Sequence, residues 1–559
     1  MSIKRFVSYF ALLLVLVVNS ACGAFAPATQ APTAPEPRHS PSTQPPAEYE
    51  APAQPIAPAA PAAPAATAAV SNNQPFAAAP STSQGATGPT NPKGHTQPPN
   101  GQTPPDMFFQ NYGVNPRVDT EDDHLSTFAL DVDTGAYTIM RRYINDGNLP
   151  PKDAVRVEEF VNYFDQGYRY PPQHQAFGIS IDGAPTPFSE NENYQMLRIG
   201  IQGYAVPSEE RKDVSLTFVI DVSGSMGQEN RLELVKRSLE LLVEQLRRSD
   251  QVGIVVYGTQ ARIVLEPTSG DDTETILDAI HSLEPEGVTN AEAGLRLGYK
   301  MASRAFNPEG INRVILCSDG VANLGDTSAD SIWDHVKRRA GEGITLTTVG
   351  FGMGNYNDVL MEQLADNGNG FYTYVDSIKE ARRIFVENLT STLQVIAMDA
   401  KVQVDFNPQV VSRYRLVGFE NRAVADEDFR DNKVDAGEIG AGHSVTALYE
   451  IKLQPEAAGR IATVYLRWKD PETQDVTEKS QDFNTNQMAG SFDEANPHFK
   501  LAVIVAEYAE ILRDSYWAQD NSLDYVLKEA HRISNQLSED KDVSEFVDLV
   551  RRASEMRGE

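Results

Sequence analysis

The sequence predicts an α/β fold: a doubly wound, mostly parallel sheet, flanked by a β-rich domain and followed by a C-terminal helical region. Three observations carry that prediction. Across residues 213–394, short β-branched and apolar runs alternate with amphipathic helical stretches, the pattern of parallel strands joined by helices. Beyond residue 400, apolar residues alternate with polar ones in Val402/Val404/Phe406, Val445/Ala447/Tyr449/Ile451 and Val464/Leu466/Trp468, which marks half-buried antiparallel strands. From Asn496 the spacing turns helical, with Leu501, Ile504, Val505, Tyr508 and Leu512 on one face.

Bulk properties narrow the function. At 559 residues the chain exceeds one ordinary core, so several domains are expected. A formal net charge of -30 argues against a nucleic-acid partner, which needs a basic face, and suits a surface that attracts cations. Two cysteines, Cys22 and Cys317, exclude a disulfide framework, and Cys317 in an apolar strand reads as a small core residue.

Taken in order, the chain opens with an export signal over 1–22. Lys4 and Arg5 precede an apolar core too short to span a bilayer. Ser20-Ala21-Cys22-Gly23 resembles the end of a bacterial lipoprotein signal, which implies lipidation of Cys22 and membrane anchorage through the lipid. Asn19 departs from that pattern, so secretion without an anchor is the alternative. Residues 23–106 collapse to Pro, Ala, Thr, Ser, Gln and Asn, too poor in large apolar side chains to offset the entropy of folding; a disordered stalk is expected.

Residues 107–212 form an N-terminal flanking domain, with a strand at 128–132, helices at 137–145 and 155–164, and strands at 177–181 and 195–201. Asp131-Val132-Asp133-Thr134-Gly135 imitates the opening of a calcium loop, but the glycine is one place early and the closing Glu is missing. It reads as a strand-end turn. In the central domain, 213–394, a strand over 214–220 runs straight into Asp221-Val222-Ser223-Gly224-Ser225. A helix is expected at once, its apolar face made of Leu232, Val235, Leu239, Leu242 and Leu246. Further strands are expected at 252–257, 261–265, 313–317, 344–349 and 371–375, with helices at 273–282, 290–305, 328–340, 358–366 and 377–389. Residues 395–490 read as β-rich. Since strands also precede the central domain, the two flanks are expected to pair, with the α/β domain inserted between them. Residues 491–559 are helical, with Ser522 and Ser544 as caps.

Open α/β sheets place their sites at the carboxyl ends of strands. There Asp221, Ser223 and Ser225 present a carboxylate and two hydroxyls at alternate positions. Thr289, in Glu286-Gly287-Val288-Thr289-Asn290, lies just ahead of a helix, and Asp319, in Cys317-Ser318-Asp319-Gly320, ends the next strand. Together these five residues resemble the metal-ion-dependent adhesion site of a von Willebrand factor type A domain, a Rossmann-like fold. The resemblance implies that Ser223, Ser225 and Thr289 coordinate the ion, while Asp221 and Asp319 act directly or through water. The donor chemistry agrees: three neutral hydroxyls and two carboxylates suit a small hard cation that keeps part of its hydration shell, Mg²⁺ or Mn²⁺, whereas Ca²⁺ gathers more carboxylates. An ion held this way has an open position for an Asp or Glu of a protein partner.

Further segments, among them Ala154-Val155-Arg156-Val157-Glu158-Glu159-Phe160 and Asp435-Ala436-Gly437-Glu438-Ile439-Gly440-Ala441-Gly442-His443, resemble a bacterial subfamily of exported, often lipid-anchored von Willebrand factor A proteins. Its members carry an added N-terminal domain and a C-terminal domain of unknown function. The expectation is an extracytoplasmic, cell-surface adhesion module that depends on a divalent cation. The alternative is a structural envelope protein, or an assembly subunit without metal-dependent ligand binding. An enzyme is not expected. Gly224-Ser225-Met226-Gly227 lacks nucleophile-elbow spacing, and neither HExxH nor a P-loop lysine motif occurs. Gly350-Phe351-Gly352-Met353-Gly354 has Asn355 where a dinucleotide loop needs its third glycine, so no nucleotide is expected.

Overall fold

The structure, a computed structural model, describes residues 107–558 apart from 173–174, 190–193, 321–328, 354–355 and 435. The export signal, Cys22 and the Pro/Ala-rich stretch to residue 106 lie outside the described residues.

The N-terminal flank contributes β1 (Val118–Asp119), β2 (Leu125–Ala129), α1 (Gly135–Asn145), α2 (Val157–Asn162), β3 (Phe177–Pro185) and β4 (Tyr194–Gly203). β2 starts and stops earlier than the sequence suggested, which leaves Asp131 and Asp133 in the turn that follows it. α2 is shorter than the expected 155–164, because a 3₁₀ turn at Lys152–Ala154 leads into extended backbone at Val155 and Arg156.

The central unit holds β5 (Val214–Asp221), α3 (Arg231–Val243), β6 (Gln251–Tyr257), β7 (Ala261–Ser269), α4 (Thr273–His281), α5 (Ala291–Arg304), β8 (Ile311–Ser318), α6 (Ala329–Gly341), β9 (Ile344–Phe351), α7 (Asp358–Asn367), β10 (Tyr372–Val375), α8 (Ile378–Arg382) and α9 (Leu389–Leu393). Its sheet runs β10-β9-β8-β5-β6-β7, parallel throughout except for the edge strand β7. β5 is fully buried, with Leu216, Phe218 and Ile220 packed toward α3 and α4, and Val219 toward α5 and α6. Burial on both faces is why the strand reads as a continuous apolar run rather than an alternating one. From β5 the chain winds first to β6 and β7 on one side, then crosses to β8 on the other. The crevice at the carboxyl ends of β5 and β8 is therefore the topological switch point of the sheet. The single helix expected over 377–389 is instead α8, a π-helical turn at Arg383–Glu387, and α9. At that turn the Arg383 guanidinium lies 3.8 Å over the Tyr163 ring and donates to the Tyr163 carbonyl.

After the central unit come β11 (Val395–Phe406), β12 (Val411–Val417), β13 (Gly437–Gly440), β14 (Ser444–Leu453), β15 (Arg460–Lys469) and β16 (Val476–Asn484). They pair with strands made before it. One sheet runs β1-β12-β14-β4-β3; the other runs β13-β11-β15-β16, with β2 on β11. Both sheets face one core that includes Phe128, Ile199, Val404, Tyr449 and Val464. Segments 107–212 and 395–490 are thus two halves of one β domain, and the α/β unit is inserted between them. The ends of the insertion are adjacent: the Lys212 backbone N–H donates to Gln394 Oε1 at 3.3 Å.

Buried ion pairs tie the insertion to its host. Arg422 meets Asp131 at 3.0 Å and Asp133 at 3.7 Å in the host, and Glu362 and Asp366 of α7 at 2.9 Å each. Arg156 reaches Asp358 at 2.6 Å, and Arg141 reaches Asp376 at 2.6 Å and Glu380 at 2.8 Å. Burial raises the carboxyls of Asp133, Glu159 and Glu362 above their ordinary values. The calcium-loop imitation is accordingly a turn, in which Asp131 accepts from the Asp133 backbone N–H at 2.9 Å and both side chains face Arg422.

The chain finishes with α10 (Pro497–Leu512), α11 (Leu523–Gln536) and α12 (Lys541–Arg557). α10 is buried almost all round, in a core shared with α1, α2, α11 and α12. Ser522 caps α11, accepting from the Tyr525 N–H at 3.3 Å. The cap of α12 is not Ser544, which lies inside the helix. Asp540 takes that place, accepting from the N–H groups of Asp542 and Val543 at 2.8 and 3.2 Å. No helix among the described residues is long and apolar enough to cross a membrane.

Candidate metal centre

Asp221 is the last residue of β5 and is fully buried. Its Oδ1 accepts from the Ser223 backbone N–H at 2.8 Å and its Oδ2 from Ser318 Oγ at 3.0 Å, which fixes the carboxylate plane. The chain does not enter a helix at once. A 3₁₀ stretch, Gly224–Asn230, intervenes, broken by extended backbone at Gln228 and left-handed backbone at Glu229. This tight curl brings Ser223 Oγ and Ser225 Oγ within 3.0 Å of each other. Ser223 is buried and Ser225 half-buried.

The loop that carries Thr289 is docked against this curl through its backbone. The Gly224 N–H donates to the Gly287 carbonyl at 3.1 Å, and the Glu286 N–H to the Val222 carbonyl at 2.5 Å. Gly287 sits at φ +72°, and a Cβ there would lie 2.0 Å from Thr259 Oγ1, so the close approach of the two loops needs glycine. Thr289 is half-buried, and Asn290 caps α5 by accepting from the Ala293 N–H at 3.1 Å.

Asp319 follows β8 and is 1% exposed. Its Oδ2 accepts from Arg231 Nη1 at 2.7 Å. Burial, and then the charge of Asp319, push the Asp221 carboxyl up to about 6. Two acids pressed together in this way, beside hydroxyls that have no charge of their own, form an arrangement that a cation relieves.

The residues therefore fit a hard divalent ion by their chemistry. Asp221, Ser223, Ser225 and Asp319 come from the ends of β5 and β8, and Thr289 from a loop held to the first of these. No cluster of three or more His, Cys, Asp or Glu suited to a metal occurs among the described residues; the hydroxyls are what set this site apart. Cys317 is buried beside it in β8, its thiol pushed up by burial, as befits a core residue. The sequence reading overlooked Ser318 and Arg231. Ser318 gave no signal beyond adjacency to Asp319. Arg231 gave one: a cation in the first turn of a helix runs against the helix dipole and asks for a local anion.

The family models that match the chain and its relative at 36% identity agree with this architecture. A family model described as von Willebrand factor type A domain matches residues 216–321, one described as von Willebrand factor matches 104–198, and one described as Uncharacterized protein YfbK, C-terminal, matches 391–556. The uncharacterized protein YfbK of Escherichia coli (strain K12) is 36% identical over 454 residues, which cover 77% of this chain and 78% of that protein. The inter-alpha-trypsin inhibitor heavy chain H3 of Homo sapiens is 29% identical over 214 residues, 37% of this chain and 22% of that protein. Among solved structures, a von Willebrand factor type A protein from Catenulispora acidiphila aligns with a TM-score of 0.40 at 14% identity, covering 69% of this chain and 91% of that one.

Proposed function

The chain belongs to the family of YfbK, von Willebrand factor type A proteins with a distinct C-terminal domain, and from that premise we propose that it is a non-enzymatic, divalent-cation-dependent protein-binding module. Asp221, Ser223, Ser225, Thr289 and Asp319 would hold Mg²⁺ or Mn²⁺. When bound, the ion supplies a Lewis-acidic position for an Asp or Glu of a protein partner. The chain's own residues do the rest: Ser318 and the Ser223 N–H orient Asp221, and the docked Gly287 carbonyl holds the Thr289 loop beside the serines. The observation that supports the reading is the pair of serine hydroxyls 3.0 Å apart, with two buried carboxylates at the ends of β5 and β8 and the Thr289 loop docked by its backbone against the serine curl. The export signal and Cys22 support an extracytoplasmic location with a lipid anchor, and hence adhesion at a cell surface.

The test is calorimetric titration of the full chain with Mg²⁺ and Mn²⁺, beside Thr289→Ala. Thr289 lies on a half-buried loop, so the variant should stay folded and bind the ion at least tenfold more weakly. Equal affinity in the two proteins would remove Thr289 from the site, and no saturable binding in either would favour a purely structural role.

A further inference from the structure

Asp319 is already engaged. Arg231, the first residue of α3, places Nη1 2.7 Å from Asp319 Oδ2, with the two side chains only 6% and 1% exposed. Its Nη2 donates to the Met353 carbonyl beyond β9. Gly352, at φ +83°, leaves room for it, since a Cβ there would lie 2.4 Å from Arg231 Cδ. One guanidinium thus braces the loops after β5, β8 and β9. It does so against the positive end of its own helix, a cost that a neutral brace would avoid.

A buried cation here changes the charge of the loaded centre. Asp221 and Asp319 formally cancel a divalent ion, and the hydroxyls of Ser223, Ser225 and Thr289 add nothing; Arg231 then leaves one net positive charge. Glu229 approaches Arg231 Nη2 at 3.9 Å, but its side chain is 37% exposed, where solvent screens it. A guanidinium that occupies Oδ2 also withholds that oxygen from the ion. We infer that Arg231 is a specificity-determining residue of the metal centre: it weakens the hold on the divalent ion and, by keeping the loaded centre positive, makes it select an anionic carboxylate. The inference rests on the metal reading above.

Arg231→Gln keeps a polar side chain and removes the charge. Titrated with Mg²⁺ alone, the full-length variant should bind about tenfold more tightly than the unaltered chain. Acetate, used as a small carboxylate probe, should tighten Mg²⁺ binding in the unaltered chain and lose most of that effect in the variant, because linkage between the two ligands is reciprocal. Arg231→Lys keeps the charge and should stay within about twofold of the unaltered chain. Mg²⁺ binding in Arg231→Gln that is equal or weaker overturns the inference and leaves the metal centre standing. Absence of Mg²⁺ binding in the unaltered chain removes both. Circular dichroism reports whether the variants fold. If Arg231→Gln does not, the unaltered chain carries the test: acetate should tighten Mg²⁺ binding there, and no tightening overturns the inference.

Discussion

Asp221 is the residue on which pH acts. Its carboxyl titrates near 6 in the folded, ion-free protein because it is buried and faces Asp319, against about 3.9 in an unfolded chain. The sign follows: the folded state holds the proton more tightly, so the ion-free protein loses stability as pH rises from about 4 to about 6. An ion must displace that proton, so Mg²⁺ affinity should climb between pH 5 and 7 and flatten above. Titrations at pH 5, 6, 7 and 8 check this, and an affinity independent of pH would mean that Asp221 stays ionised without metal. At this scale the sequence was highly legible. The spacing of Asp221, Ser223 and Ser225 is local, and Thr289 and Asp319 each stand at a strand or helix boundary that the pattern exposes. Arg231 was missed because its partner, Asp319, is 88 residues away in sequence.

Elements were legible wherever burial is one-sided or complete, and obscure where tertiary contacts override local pattern. β16 went unread because its exposed, mostly polar residues show no apolar face, and β13 because four residues bounded by glycine carry no period. At the break in the helix, 383–387, Arg383 reaches Tyr163, a contact between segments 220 residues apart that no local pattern carries. Arg422 shows how far such contacts matter. Arg422→Ala would leave Asp131 and Asp133 buried together without the cation they share, and Glu362 with Arg156 at 3.9 Å as its remaining cation. Removing one partner from a buried network costs about 3–5 kcal/mol. Denaturant unfolding should show a loss of that order at pH 8, and a smaller one at pH 5, where Glu362, its carboxyl raised to about 7 by burial, takes up a proton. An equal loss at both pH values would show that Glu362 does not titrate in the fold.

For the whole molecule, the interleaved sheets and the ion pairs across the junction mean that the host and the inserted unit should unfold together. Three tryptophans report on different parts: Trp333 in α6, Trp468 in β15 and Trp517 ahead of α11. Fluorescence and far-ultraviolet circular dichroism should trace coincident transitions; two separated transitions would show that the junction is weak. The sequence suggested that the flanks pair, but it held no information on register, because the partners of β4 lie on the far side of the insertion.

That adjacency of Lys212 and Gln394 bears on how the polypeptide is born. β3 and β4 leave the ribosome, or cross a membrane, long before β14 exists; Gln202 must wait for a carbonyl 240 residues downstream. The inserted unit, by contrast, is complete as soon as its last helix emerges. Once folded, it turns a long, entropically costly loop into a pair of neighbouring ends. The guest therefore serves as the splint on which its host is assembled, and mutations that slow the guest should leave the host's early strands exposed to aggregation and proteolysis.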